Sequence, residues 1–160
     1  MNHEHYMSMA VQEAEKARDA GELPIGSVLV AKNEILCLGQ TSVVRQGTIV
    51  AHGEITTLHA AQYKIFTDSR PLVLYTTLEP CLMCIGAAMQ CGVDLIVYGM
   101  RCLPDGAADA VKSLKLPGQK TPEILSGILE SACVEAFRSW NQPANHPAYP
   151  YVQDILAYYK

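Results

Sequence analysis

Two short segments carry residues whose types and spacing could do chemistry: His52-Gly53-Glu54 and Pro80-Cys81-Leu82-Met83-Cys84. His52, Cys81 and Cys84 are zinc donors, and three protein donors on a tetrahedral ion leave its fourth position for water. A structural zinc site usually closes that position with a fourth side chain, and no second Cys-x-x-Cys occurs here to do so. Zinc lowers the pKa of bound water toward neutrality, and Glu54, beside the ligands but not one of them, can move its protons. The pattern describes a hydrolytic centre with one Zn2+ per subunit.

The elements that must position these residues follow from periodicity. Residues 4–20 read as an amphipathic helix, and Ile25 to Ala31 as an apolar, β-branched strand. Lys32-Asn33 turns it into a second strand, 34–40, to make a hairpin. A loop spans 42–51, then a helix opens near His52 and runs to about Phe66. Leu72 to Thr77 is a buried strand that meets Pro80, which suits the start of a helix running to about Cys91. A strand at 95–98, a short helix at 108–114, a strand at 123–125 and a helix at 128–140 complete the order. Strands alternating with helices in the second half predict an α/β fold of three layers (α/β/α), a mixed five-stranded sheet with helices on both faces.

Both zinc motifs fall at the start of a predicted helix. There unpaired N–H groups and partial positive charge favour thiolate over thiol. Cys81 and Cys84 share one face of a helical turn, and His52 comes from the other helix. Glu54 sits in the first turn after His52, within reach of the water. His59, seven residues on and on a similar helix face, reads as a packed residue or one that supports the ligands from behind, rather than as a ligand.

The chain has 160 residues and a formal net charge of −4. We read it as a single zinc-dependent domain over 1–160, with 141–160 a C-terminal extension across the active site. Twelve Lys and Arg are scattered, with one in the last twenty residues. That balance argues against a nucleic-acid partner and for a small neutral substrate. No basic and then apolar segment opens the sequence, and no apolar run is long enough to span a bilayer, so a cytoplasmic protein without a membrane partner is expected. The other four cysteines, Cys37, Cys91, Cys102 and Cys133, read as reduced thiols.

Ala51-His52-Gly53-Glu54 and Thr76-Thr77-Leu78-Glu79-Pro80-Cys81-Leu82-Met83-Cys84, with 25 residues from Glu54 to Pro80, resemble the motifs of the cytidine-deaminase-like superfamily. Pro24-Ile25-Gly26-Ser27-Val28-Leu29-Val30 is similar to the first strand of its cytosine, guanine and tRNA-adenosine deaminase branch. The resemblance implies the same mixed sheet, zinc on His52, Cys81 and Cys84, Glu54 as proton carrier, and a homodimer. It also implies substrate contacts from the Gly53 amide and from the carbonyl at Leu78 or Glu79. Eleven residues before the zinc His these branches commonly carry an Asn that reads the substrate ring. Here that position is Thr41, whose hydroxyl cannot offer an amide's paired donor and acceptor. Aromatic closure is implied from the C-terminal segment, with Trp140, Tyr149, Tyr151, Tyr158 and Tyr159 as candidates, and Asp154 is a candidate to read an exocyclic amine.

The implied reaction is hydrolytic deamination, in which activated water attacks an amidine-like ring carbon and ammonia leaves. His52-Gly53-Glu54-Ile55-Thr56-Thr57-Leu58 resembles fungal-type cytosine deaminase, whereas Glu79-Pro80-Cys81-Leu82-Met83-Cys84 with Ala107-Ala108-Asp109-Ala110 is closer to tRNA adenosine deaminases. The acidic balance puts a small amino-heterocycle first, a free nucleobase or nucleoside such as cytosine or guanine. A tRNA adenosine deaminase and a catalytically silent zinc-binding module stand as alternatives.

Overall fold

The computed structural model describes residues 2–62, 64–67, 71–111, 113–114, 117–118 and 120–160. Asn2 opens helix α1 (His3–Asp19) by accepting the His5 N–H. Tyr6, Met7, Ala10, Ala14 and Ala17 then form its buried stripe. Strands β1 (Gly26–Ala31) and β2 (Glu34–Gln40) pair antiparallel. Between them Lys32 and Asn33 both take positive φ, 48° and 66°, the conformation of a two-residue turn that follows the strands' twist.

A single-turn helix α2 (Val43–Gln46) interrupts the segment expected to be all loop. Helix α3 (Gly53–Ala61) begins at the zinc His as expected but ends early, because Gln62 takes φ 50° and breaks the ladder; α4 (Lys64–Thr67) follows. Strand β3 (Leu72–Leu78), helix α5 (Leu82–Gln90) and strand β4 (Leu95–Met100) form a parallel crossover unit. Helix α6 (Ala108–Val111), strand β5 (Glu123–Ser126), helix α7 (Glu130–Arg138) and helix α8 (Tyr149–Ala157) complete the chain. Tyr63 and Lys112, which fall inside the helices expected over 52–66 and 108–114, lie outside the described residues.

The sheet order is β2-β1-β3-β4-β5, antiparallel on the β2 side and parallel from β3 to β5. This is the mixed five-stranded sheet that the sequence predicts. Strand β3 is buried along its whole length, as a strand covered on both faces must be. Val28, Val30, Val73 and Tyr75 face one core with Tyr6 and Met7 of α1, Phe137 of α7 and Ile155 of α8. Leu29, Leu72 and Leu74 face the other, with Leu58 of α3 and Ile85 and Met89 of α5. Alternation along each strand thus assigns α1, α7 and α8 to one layer and α3 and α5 to the other. Among the described residues no helix is long and apolar enough to cross a membrane.

One glycine sets how closely α1 lies on the sheet. A Cβ at Gly26 would stand 2.0 Å from the Ala10 carbonyl oxygen and 2.4 Å from the Ala14 nitrogen, both rigid helix backbone. Gly26→Ala should therefore cost about 3 kcal/mol or more through overpacking that no rotamer relieves. A urea melt reads this directly, and an unchanged midpoint would contradict the close approach.

Candidate active site

The site lies beyond the carboxyl end of β3, where open α/β sheets place their ligands. His52 and Cys81 are the N-cap residues of α3 and α5, both with extended backbone (ψ 156° and 170°). Each side chain therefore sits at the positive end of a helix, and Cys84 follows one turn into α5. The three donor atoms converge: His52 Nδ1 lies 3.7 Å from Cys81 Sγ and 3.6 Å from Cys84 Sγ, and the sulfurs are 3.7 Å apart.

A tetrahedral zinc with bonds of about 2.3 Å to sulfur and 2.0–2.1 Å to nitrogen spaces its donors about 3.6–3.8 Å apart. The triangle has those edges, so the donor set fits the ion. Among the described residues this is the one cluster of His, Cys, Asp or Glu donors with such convergence. The hydrogen bond between the sulfurs holds the Cys81 thiol down, to about 4, with His52 adding to the effect. The same bond, together with burial, pushes Cys84 up. His52 is raised by its bond to Cys81.

Glu54, 3% exposed, is the second residue of α3 and accepts a 3.2 Å hydrogen bond from the Thr76 hydroxyl of β3. Burial raises its pKa, so its protonated form is more accessible than for a surface carboxylate. A group poised this way can take a proton and return it.

A cavity of about 210 Å3 opens over these residues. Its floor is His52, Glu54 and Cys81, and its walls include Leu23, Ile25, Val43, Ile49 and Leu78. Thr41 is 2% exposed, lines the cavity, and its hydroxyl has no hydrogen-bond partner. Asp105 and Tyr151 close the remaining side, with the Tyr151 hydroxyl donating to Asp105 Oδ1 at 2.9 Å.

Glu79 also lines the cavity, while its carboxylate is tied into the neighbouring loop. It accepts the Cys102 N–H and the Ala108 N–H, each at 3.1 Å, and pairs with Arg101 at 3.5 Å. A Cβ at Gly106 would stand 2.5 Å from the Glu79 carboxyl carbon, so glycine lets the loop close over it. Gly53 is buried where α3 meets β1, with its hypothetical Cβ 3.1 Å from the Ile25 carbonyl oxygen.

The structure does not bring Trp140 or Asp154 to this cavity. Trp140 is 6% exposed in the core, its indole N–H donating to the Glu22 carbonyl at 3.0 Å, because α7 packs that residue against the end of α1. Asp154 is exposed on α8 and does not line the cavity. His59 is exposed too, since α3 turns that position outward. Asp105, Val43 and Ile49 carry no motif, and the sequence offered no signal for them beyond their place in a loop; Thr76 lies in the second motif, but nothing in its spacing showed that it would reach Glu54.

Comparison with known proteins resolves the class. A 34% identical relative from Bacillus subtilis (strain 168), aligned over 133 residues covering 81% of this chain and 83% of its own length, is a tRNA-specific adenosine deaminase. A solved structure from work on A-to-I editing by tRNA:A34 deaminases at the wobble position of transfer RNA is 31% identical, with TM-score 0.72, covering 82% of this chain and 98% of that one. Guanine deaminase from Nitrosomonas europaea has the same fold, with TM-score 0.70 at 20% identity over 86% of this chain and 84% of its own.

These relatives overturn the expectation that argued against a nucleic-acid partner. That argument summed charge over the whole chain, whereas contacts to a base and its few neighbouring phosphates depend on local groups. The same finding weakens the placement in free-nucleobase metabolism.

Cys84→Ser removes one corner of the donor triangle, and zinc content should fall well below one per chain by elemental analysis while the described fold persists. Full zinc occupancy in that variant would remove Cys84 from the ligand set. The zinc-binding region of cytidine and deoxycytidylate deaminases matches residues 1–100, both motifs included. With that match and the 34% identical relative, the chain belongs to the cytidine and deoxycytidylate deaminase family and is a zinc-dependent hydrolytic deaminase.

Proposed function

We propose that the protein is a tRNA adenosine deaminase, converting an adenosine of an RNA loop to inosine with release of ammonia. One observation carries the reading: similarity to a tRNA-specific adenosine deaminase, at 34% identity, runs through 133 residues and 81% of the chain. The cavity is compatible with it: at about 210 Å3, with His52, Glu54 and Cys81 in its lining, it admits a base turned out of its stack.

The residues divide the work as follows. His52, Cys81 and Cys84 would hold the zinc, which when bound would supply an acidified water. Glu54 would take a proton from the attacking water and deliver it to the ring nitrogen next to the amidine carbon; it would then take the second proton, from the hydroxyl added at that carbon, and pass it to the amine, so that the C–N bond breaks and ammonia leaves a ring carbonyl. Thr76 holds the Glu54 carboxylate against β3 through the whole cycle. Leu23, Ile25, Val43, Ile49 and Leu78 enclose the base and exclude bulk water.

The Thr41 hydroxyl makes one hydrogen bond to the base edge, the partner it otherwise lacks. The Gly53 amide and the carbonyl at Leu78 or Glu79 complete the contacts to the base and the leaving amine. Tyr151 of α8 makes the C-terminal segment part of the pocket wall of a single domain.

The decisive assay is ammonia and inosine formation from a tRNA anticodon stem-loop with adenosine at the wobble position, beside cytosine, guanine, adenine and their nucleosides. Zinc-loaded protein should convert the RNA. Glu54→Gln should keep its zinc and lose at least about 10²-fold in rate. Turnover of a free base with none of the RNA would overturn the reading. Thr41→Val should leave the fold as stable as before, since the lost hydroxyl has no internal partner, and lower kcat/KM about fivefold, the value of one hydrogen bond. Unchanged kcat/KM would remove Thr41 from the base contacts.

A further inference from the structure

We infer that Glu22 is a positioning residue for the base pocket: its buried carboxylate clamps the 42–51 segment and so sets the aliphatic wall formed by Val43 and Ile49. The side chain is 1% exposed, and burying a carboxylate is costly unless its oxygens are satisfied. Both oxygens are engaged by main-chain donors. Oε2 accepts the Val44 N–H at 3.0 Å and Oε1 accepts the Arg45 N–H at 2.7 Å.

Those N–H groups are free donors at the start of α2, where a local cap would ordinarily serve. Ser42, the residue in the cap position, makes no such bond; its hydroxyl donates to the Gln40 carbonyl and accepts from the Arg45 guanidinium. Glu22 therefore caps this turn from 22 and 23 residues away in sequence.

The ends of the segment are fixed, with Ser42 and Ala51 buried and the Ser42 N–H donating to the Ala51 carbonyl at 2.9 Å, but its middle is not held by packing. A four-residue helix cannot hold itself, and α2 contributes no buried residue. Val44 and Ile49 are 67% and 75% exposed, so apolar packing is weak there. Glu22 itself is fixed at both ends of its main chain, its N–H donating to the Ala17 carbonyl at 2.9 Å and its carbonyl accepting the Trp140 indole. The clamp thus transfers the rigidity of α1 and α7 to a wall that lacks its own. Glu79 does the corresponding task for the 101–108 loop opposite.

The test takes its substrate from the tRNA reading and separates the two ideas. Glu22→Gln leaves one main-chain donor facing an amide NH2. It should keep one zinc per chain and the emission of Trp140, the sole tryptophan, which reports the Glu22 main chain. KM for the anticodon stem-loop should rise about tenfold with kcat within about twofold, and hydrogen exchange at the Val44 and Arg45 amides should quicken. Ile49→Ala trims the wall directly, and combining it with Glu22→Gln should raise KM by less than the product of the two single effects.

An unchanged KM, or effects that multiply independently, would overturn the clamp. So would a KM rise seen only together with zinc loss and shifted Trp140 emission. If the wild-type protein leaves the RNA unconverted, the tRNA reading fails, and amide exchange at Val44 and Arg45 alone decides for or against the clamp.

Discussion

The active end depends on one constraint: two helix N-termini from different parts of the chain must deliver a histidine nitrogen and two sulfurs to within 3.6–3.7 Å of one another. Positive helix ends make that convergence electrostatically favourable for the sulfurs. Strand β3 sets the relative position of the two helices, because α5 leaves directly from it while α3 packs on its β1 neighbour and presents Glu54 to Thr76. The fully buried strand therefore aligns Glu54 with the metal donors.

Around this rigid floor the pocket walls are held by polar anchors more than by packing. The two loops that flank the cavity have exposed apolar tips, including Ile49 and Leu103. Each is tied to the body through a buried glutamate that accepts two main-chain N–H groups, Glu22 on one side and Glu79 on the other. Directional bonds fix a loop's position where apolar area is too small to do so. This division suits a site that must keep its chemistry rigid while presenting walls to a substrate from outside.

The acidic total charge shows how far a whole-chain quantity can mislead about a partner. The cavity over the metal donors is lined by a few residues, Leu23, Ile25, Val43, Ile49 and Leu78 among them. Charge summed over 160 residues carries little information about so small a surface.

The sequence by itself determined the layered α/β fold and the metal centre. Both are written in short-range patterns: short apolar, β-branched runs at β1 and β3, helix starts at His52 and Cys81, and donors three residues apart in one turn. It could not determine which side chains wall the pocket. Val43 and Ile49 of one segment, Asp105 of another and Tyr151 of α8 lie far apart in the chain, and only the tertiary structure decides that they meet. Trp140 shows the same limit from the other side: an aromatic near the C-terminus suits a pocket or a core equally well, and the packing of α7 against α1 put it in the core. Local periodicity records what each element is, while long-range contact records what each residue faces, and the substrate is read by the second.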